Sequence, residues 1–167
     1  MTHVFLKKYN CNLIPLKLKK PVYYREDNPN IIVKTFTKEQ KKSMDNEIKL
    51  HKMAEKLVAC PKIIDHYIED NIGYLLMERI NGESVYDIFG DNPKDVPDEV
   101  WKQINSIIHK LFNNNIHYID ITSFNFIIEK NTEKIFIIDF GDAYECKINW
   151  FLMDFMEGEI SWNPDFA

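Results

Sequence analysis

The first 36 residues fall into short runs rich in β-branched or aromatic residues: Val4–Leu6, Asn12–Leu18, Val22–Tyr24 and Ile31–Phe36. Pro15, Pro21 and Asn28-Pro29-Asn30 punctuate them, so the pattern predicts four strands. In the last run Ile32, Lys34 and Phe36 share one face, and a lysine on an otherwise apolar face needs a partner. The period then changes. Thr37 followed by Gln40 predicts a capping box, and Met44, Ile48, Leu50, Met53, Ala54, Leu57 and Val58 recur at helical spacing. Glu47 lies on the stripe of Leu50, Ala54 and Leu57, which points its carboxylate inward. Cys60-Pro61 ends the helix. Lys62–Glu69 alternates, Asn71-Ile72-Gly73 turns the chain, and Tyr74–Glu78 reads as a buried strand. Asn81-Gly82 breaks that strand, Ser84–Phe89 predicts a short helix, and Gly90-Asp91-Asn92-Pro93 a loop. The clearest helix runs from Asp98 to Phe112 through Val100, Ile104, Ile107, Ile108 and Leu111, and Asn113-Asn114-Asn115 stops it. Strands at Phe126–Glu129 and Lys134–Phe140 flank the turn Lys130–Glu133, and residues 148–157 predict a last helix.

Composition narrows the function classes. The 167 residues are 45% hydrophobic and 13% aromatic, enough for a core and too much for global disorder. The length suits one domain, or one domain of two small lobes. No apolar run approaches the ~18 residues of a membrane span, and Met1–Lys8 carries no signal-peptide h-region. Cys11, Cys60 and Cys146 are odd in number and far apart, which predicts reduced thiols and a cytoplasmic setting. Abundant Ile, Asn and Lys beside scarce Gly and Ala point to an AT-rich source genome, such as that of a large DNA virus acting in host cytoplasm. The net charge of −5 argues against a polyanion-binding surface, so no DNA partner is expected. Residues 1–42 hold ten Lys+Arg against three Asp+Glu, while 43–167 hold eleven against twenty-three. A basic front and an acidic rear suit a cleft that holds a phosphate and a metal.

The five glycines are Gly73, Gly82, Gly90, Gly141 and Gly158. Neither G-x-G-x-x-G nor G-x-x-x-x-G-K can be built from them, which excludes the dinucleotide fingerprint and the phosphate loop.

Candidate chemistry sits between the long helix and the end of the hairpin. Ile119-Asp120-Ile121-Thr122-Ser123-Phe124-Asn125 precedes the two strands, and Ile137-Ile138-Asp139-Phe140-Gly141 follows them. The order of helix, Asp-x-x-x-x-Asn loop, hairpin and Asp-Phe-Gly resembles the catalytic core of the protein-kinase-like superfamily. The resemblance implies an α+β, two-lobed fold: an N-terminal antiparallel sheet plus one helix over 1–80, and a truncated, mainly helical C-terminal lobe over 81–167. It implies an ATP- and Mg2+-dependent phosphotransferase, with Asp120 meeting the substrate hydroxyl and Asn125 and Asp139 holding magnesium. Upstream, Val33-Lys34 is similar to the strand lysine that pairs with the α- and β-phosphates, and Glu47 to the helix carboxylate that orients it. Leu75–Ser84 looks like the segment joining the lobes, whose backbone at Met77, Glu78 and Ile80 receives adenine.

Asp-Ile-Thr-Ser-Phe-Asn lacks the lysine that serine/threonine kinases place two after the aspartate. It is more similar to the RIO kinases and to the small kinase of the tRNA threonylcarbamoyl-adenosine modification complex, and those families imply a protein substrate or partner. Three departures stand out. Tyr118-Ile119 replaces the family's His-Arg pair, leaving His117 as a structural histidine. The glycine-rich loop is missing. Only 26 residues follow Gly141, too few for a long activation segment. Asp142 is expected as a turn residue. The departures leave two alternatives beside an atypical serine/threonine kinase: a pseudokinase serving as a nucleotide- or partner-binding module, and a small-molecule phosphotransferase.

Overall fold

The computed structural model describes residues 4–16, 21–147 and 149–166. Lys17 and Leu18 of the predicted second strand and position 148 of the predicted last helix lie outside them. The chain divides into two compact units, Met1–Asp45 with Pro61–Arg79, and Asn46–Cys60 with Ile80–Ala167.

The first unit is built on a six-stranded antiparallel sheet. Its strands are β1 (Val4–Leu6), β2 (Cys11–Pro15), β3 (Val22–Arg25), β4 (Ile31–Phe36), β5 (Ile63–Glu69) and β6 (Ile72–Glu78), in the order β1-β2-β3-β4-β6-β5. The strand periodicity sorts the side chains. Leu6, Cys11, Leu13, Ile31, Val33, Tyr74 and Leu76 form the buried cluster. Lys34 is opposite Val22 on β3 and Leu75 on β6, half-buried, with its ammonium 5.6 Å from the centre of the Phe36 ring.

The turn between β5 and β6 differs from the expected one. Asp70 and Asn71 both take positive φ, 50° and 64°, so Asp-Asn makes the two-residue hairpin connection that suits strand twist. Ile72 and Gly73 already belong to β6. Gly73 lets Met44 pack close: a Cβ there would stand 2.3 Å from the Met44 sulfur, which would have to move aside.

Helix α1 (Lys41–Ala54) follows a short 3-10 turn over Lys38–Gln40. The capping box is present, with the Thr37 amide donating to Gln40 Oε1 at 2.9 Å. Regular helix stops at Ala54 rather than running to Val58. The Leu57 and Val58 amides both turn back onto the Ala54 carbonyl, and the chain leaves through Cys60-Pro61, where proline disfavours helical geometry at residue 60.

The second unit holds α1 from Asn46 onward, α2 (Val85–Phe89), α3 (Asp98–Asn113) and α4 (Trp150–Glu157). It also holds short strands that the sequence did not predict: β7 (Gly82–Ser84), β8 (Ile116–His117) and β11 (Tyr144–Glu145). The hairpin is β9 (Phe126–Glu129) and β10 (Ile135–Ile137), shorter than the predicted 134–140 because the chain leaves the ladder at Ile138. The strands pair as β10-β9-β7 and β11-β8. Ile104, Ile107, Ile108 and Leu111 of α3 bury their periodic face among Leu50, Ala54, Ile116, Phe126, Ile137 and Phe155. Cys60 lies in the same core, where burial pushes its thiol up to about 12. No described helix is long and apolar enough to cross a membrane.

Gly82 is fixed by close approach. A Cβ there would lie 2.2 Å from the carbonyl oxygen of Ile128 on β9, and backbone does not yield as a flexible side chain does. Gly82→Ala is therefore expected to cost about 1–3 kcal/mol, read as a lower urea midpoint. An unchanged midpoint would show that β7 can shift without loss.

Candidate functional site

Strand β8 delivers the chain into the loop 118–125, where hydrogen bonds hold a run of backbone carbonyls. The Ile119 carbonyl accepts from Asn163 Nδ2 at 2.8 Å. The Asp120 carbonyl accepts from the Thr122 amide at 3.0 Å and from Asn125 Nδ2 at 3.0 Å. The Ile121 carbonyl accepts from the Asn163 amide at 2.8 Å, and that of Thr122 from the Asn125 amide at 3.1 Å. Four consecutive carbonyls are thus tied. Ile121, Thr122, Ser123 and Asn125 are buried, so leaving those groups unpaired would be costly.

The same loop is fastened to Asp139 through its neighbour. The Ile138 amide donates to the Asn125 carbonyl at 3.0 Å, and the Ile138 carbonyl accepts from the Tyr118 hydroxyl at 2.7 Å. Tyr118 is buried and meets the Phe140 ring edge-on at 5.5 Å. The residue in the histidine's place thus acts as a strut between the loop and the Asp-Phe-Gly turn. Asp139 has φ of 59°, a left-handed conformation that Asp adopts more readily than most residues. Its Oδ1 accepts from the Gly141 amide at 3.2 Å. Asp142 is exposed in the turn that follows.

The electrostatics are those of an acidic enclosure. Burial pushes the Asp120 carboxyl above its usual range. The Asp139 and Asp142 carboxylates add to that push, while hydrogen bonds from Asn125 and Thr122 oppose it. The Tyr118 hydroxyl is raised by burial and then by the charges of Asp120, Asp139, Glu47 and Asp142. Four carboxylates therefore stand within electrostatic reach of one phenol. Glu47 itself is 1% exposed, on the inner stripe of α1 as its spacing implied. One turn on, His51 is also buried, its ring 4.9 Å from that of Phe140. This length of α1 is tied to the chain after the turn. Asn46 Nδ2 donates to the Ala143 carbonyl at 3.1 Å, and Lys49 pairs with Glu145.

Among the described residues no group of three or more His, Cys, Asp or Glu side chains is gathered to hold a metal ion alone. Magnesium is commonly held by one or two carboxylates together with substrate phosphates, and the residues present fit that mode. Asn125 spends its amide N–H on Asp120, so its Oδ1 is the hard donor it can offer beside the Asp139 carboxylate.

Lys34, Met77 and Glu78 belong to the first unit, and Ile80 opens the second. The Glu78 amide donates to the Lys62 carbonyl at 2.9 Å, the Arg79 amide to that of Asn30 at 2.8 Å, and the Ile80 carbonyl accepts from Gly82 at 3.0 Å. Much of this segment's backbone is therefore committed to the protein itself.

His117 has the structural role expected of it. Its ring stacks 4.9 Å from that of Phe112, and its Nδ1 lies 2.6 Å from the Lys147 carbonyl oxygen. Two features go beyond the sequence reading. Asn163 contacts the loop from 44 residues away, and no periodicity reports such a pairing. Tyr86 and Phe124 form a stacked pair, ring centres 4.0 Å apart, at 39% and 37% exposure, with Ile88 at 45% on the same short helix as Tyr86. The position of Phe124 inside the Asp-x-x-x-x-Asn loop was the available clue.

The family model described as protein kinase domain covers residues 21–159. No curated protein matches the chain.

Proposed function

We propose, because this chain belongs to the protein kinase domain family, that it is an atypical, ATP- and Mg2+-dependent kinase acting on serine or threonine hydroxyls of a protein. Among kinases its loop is most similar to those of the RIO kinases and of the small kinase of the threonylcarbamoyl-adenosine complex. The observation that carries the reading is the tethering of Asp120, Asn125 and Asp139 through Ile138, Tyr118 and the hydrogen-bonded carbonyls of residues 119–122. Phosphoryl transfer asks mostly for positioning and charge stabilisation, and a loop held at four consecutive carbonyls around Asp120 supplies positioning.

In this reading Asp120 orients the acceptor hydroxyl and receives its proton as the new oxygen–phosphorus bond forms and the bond to ADP breaks. Asn125 and Asp139 hold magnesium, which when bound neutralises charge on the phosphates. Lys34 contacts the α- and β-phosphates, and the backbone of Met77, Glu78 and Ile80 receives adenine.

The exposed Tyr86–Phe124 pair and Ile88 favour a polypeptide acceptor over a small molecule. A hydroxyl brought to Asp120 carries its neighbours past Phe124, and apolar flanking side chains would bury surface there. A second reading, that of a pseudokinase, draws on the absence of any glycine before Gly73, where kinases place their phosphate-covering loop.

The test is thermal and chemical unfolding with and without Mg-ADP and Mg-ATP. A ligand at 100 times its dissociation constant adds about 2.7 kcal/mol. Absence of any shift would sink the enzyme reading. A shift without phosphate transfer to peptide libraries or to the protein itself would favour the pseudokinase.

A further inference from the structure

We infer that Asn163 is a positioning residue for the phosphate-transfer loop, a clamp reaching from the C-terminal segment that holds the carbonyls of Ile119 and Ile121, the residues on either side of Asp120. The inference rests on the kinase reading for its chemical consequence and on hydrogen bonding alone for its structural one.

One residue makes three linked contacts. Its Nδ2 donates to the Ile119 carbonyl at 2.8 Å, its own amide donates to the Ile121 carbonyl at 2.8 Å, and its Oδ1 accepts from the Asp165 amide at 3.0 Å. The last bond settles which end of the side-chain amide faces the loop, because an oxygen must meet the Asp165 N–H. The side chain is 2% exposed, so neither Ile119 nor Asn163 can readily exchange this partner for water.

The segment around it is anchored by stacking. Trp162 lies 4.3 Å from the Trp101 ring of α3 and 6.2 Å from Phe126 at the start of β9. Pro164 restricts Asn163 to extended backbone, which suits an amide that must face the loop. The remaining carbonyl between these two contacts, that of Asp120, is held from within the loop by Thr122 and Asn125. The internal bonds fix the loop's shape, and Asn163 adds a fixed point on the rest of the unit. Without it the Asp120 carboxylate would keep its chemistry and lose its aim, and small misplacements of a reacting group are expensive in rate.

The test uses the full chain with Asn163→Ala and Asn163→Ser. Three quantities are measured: kcat and KM for ATP, the dissociation constant of Mg-ADP, and amide hydrogen exchange over residues 118–126. Both variants are expected to unfold cooperatively and to bind Mg-ADP within about threefold of wild type. Their kcat should fall roughly tenfold or more with little change in KM for ATP, and exchange in 118–126 should quicken. Wild-type kcat in both variants, or nucleotide affinity lost in the same proportion as kcat, would overturn the positioning role. If wild type transfers no phosphate, the kinase reading falls by itself, and exchange still decides the clamp: unchanged exchange over 118–126 in both variants overturns it. Should Asn163→Ala fail to fold, Asn163→Ser, which keeps a small polar group, decides alone.

Discussion

Asp120→Asn is expected to lose phosphate transfer by about 10²- to 10⁴-fold, the range of a positioned general base, while keeping its affinity for Mg-ADP. The two side chains have the same shape, but the amide cannot take up a proton at neutral pH. The stability change should run opposite to the activity change. Burial and the Asp139 and Asp142 charges hold the Asp120 carboxyl above its usual range, so ionising it costs more in the folded chain than in water. A neutral amide escapes both penalties, and the variant should unfold at the wild-type temperature or above it. Single-turnover transfer and a thermal melt on the same preparation check both halves. Full activity in the variant would remove Asp120 from the mechanism, and a lower melting temperature would show that the hydrogen bonds from Asn125 and Thr122 to the carboxylate outweigh the cost of its burial.

The second large effect is at Asp139. Asp139→Asn retains an Oδ1 for the Gly141 amide, and asparagine tolerates the positive φ of 59°. The fold should survive and the metal charge balance should not. A hundredfold weaker Mg-nucleotide affinity would cut the stabilisation at a fixed ligand level from about 2.7 to about 0.4 kcal/mol. Asp139→Ala is the instructive contrast. It loses the charge as well, and it places a residue poorly suited to left-handed geometry at that φ, at a cost of about 1–3 kcal/mol without any ligand. Equal apo stabilities for the two variants would contradict the strain argument, and undiminished Mg-dependent stabilisation in Asp139→Asn would exclude Asp139 as a metal ligand.

Regular periods were legible in the chain, and isolated pairings were not. Ile31–Phe36 declares a strand and Asp98–Phe112 a helix, because each repeats its apolar positions often enough to fix a period. The Thr37–Gln40 box was equally readable, being a local rule. The strands β7, β8 and β11 are two or three residues long, too short for alternation to show, and long-range partners alone define them. The β5–β6 turn lies earlier than Asn71-Ile72-Gly73 because Asp70 and Asn71 adopt positive φ themselves, with no glycine required. At the candidate site, the spacing of Asp120, Asn125 and Asp139 lies in the motif. What fastens them, the Tyr118 hydroxyl on Ile138 and Asn163 on Ile119 and Ile121, is tertiary hydrogen bonding between single residues.

The division of helix α1 between the two units has a consequence for synthesis. Leu50, Ala54 and Cys60 belong to the core of the second unit, yet the chain makes them before nearly all of the residues that bury them. When a ribosome has finished the sheet strands through Glu78, these apolar side chains still wait for α3 and the hairpin. The nascent chain therefore carries an uncovered apolar stripe through most of its second half, which is when a chaperone would engage it and when aggregation competes with folding.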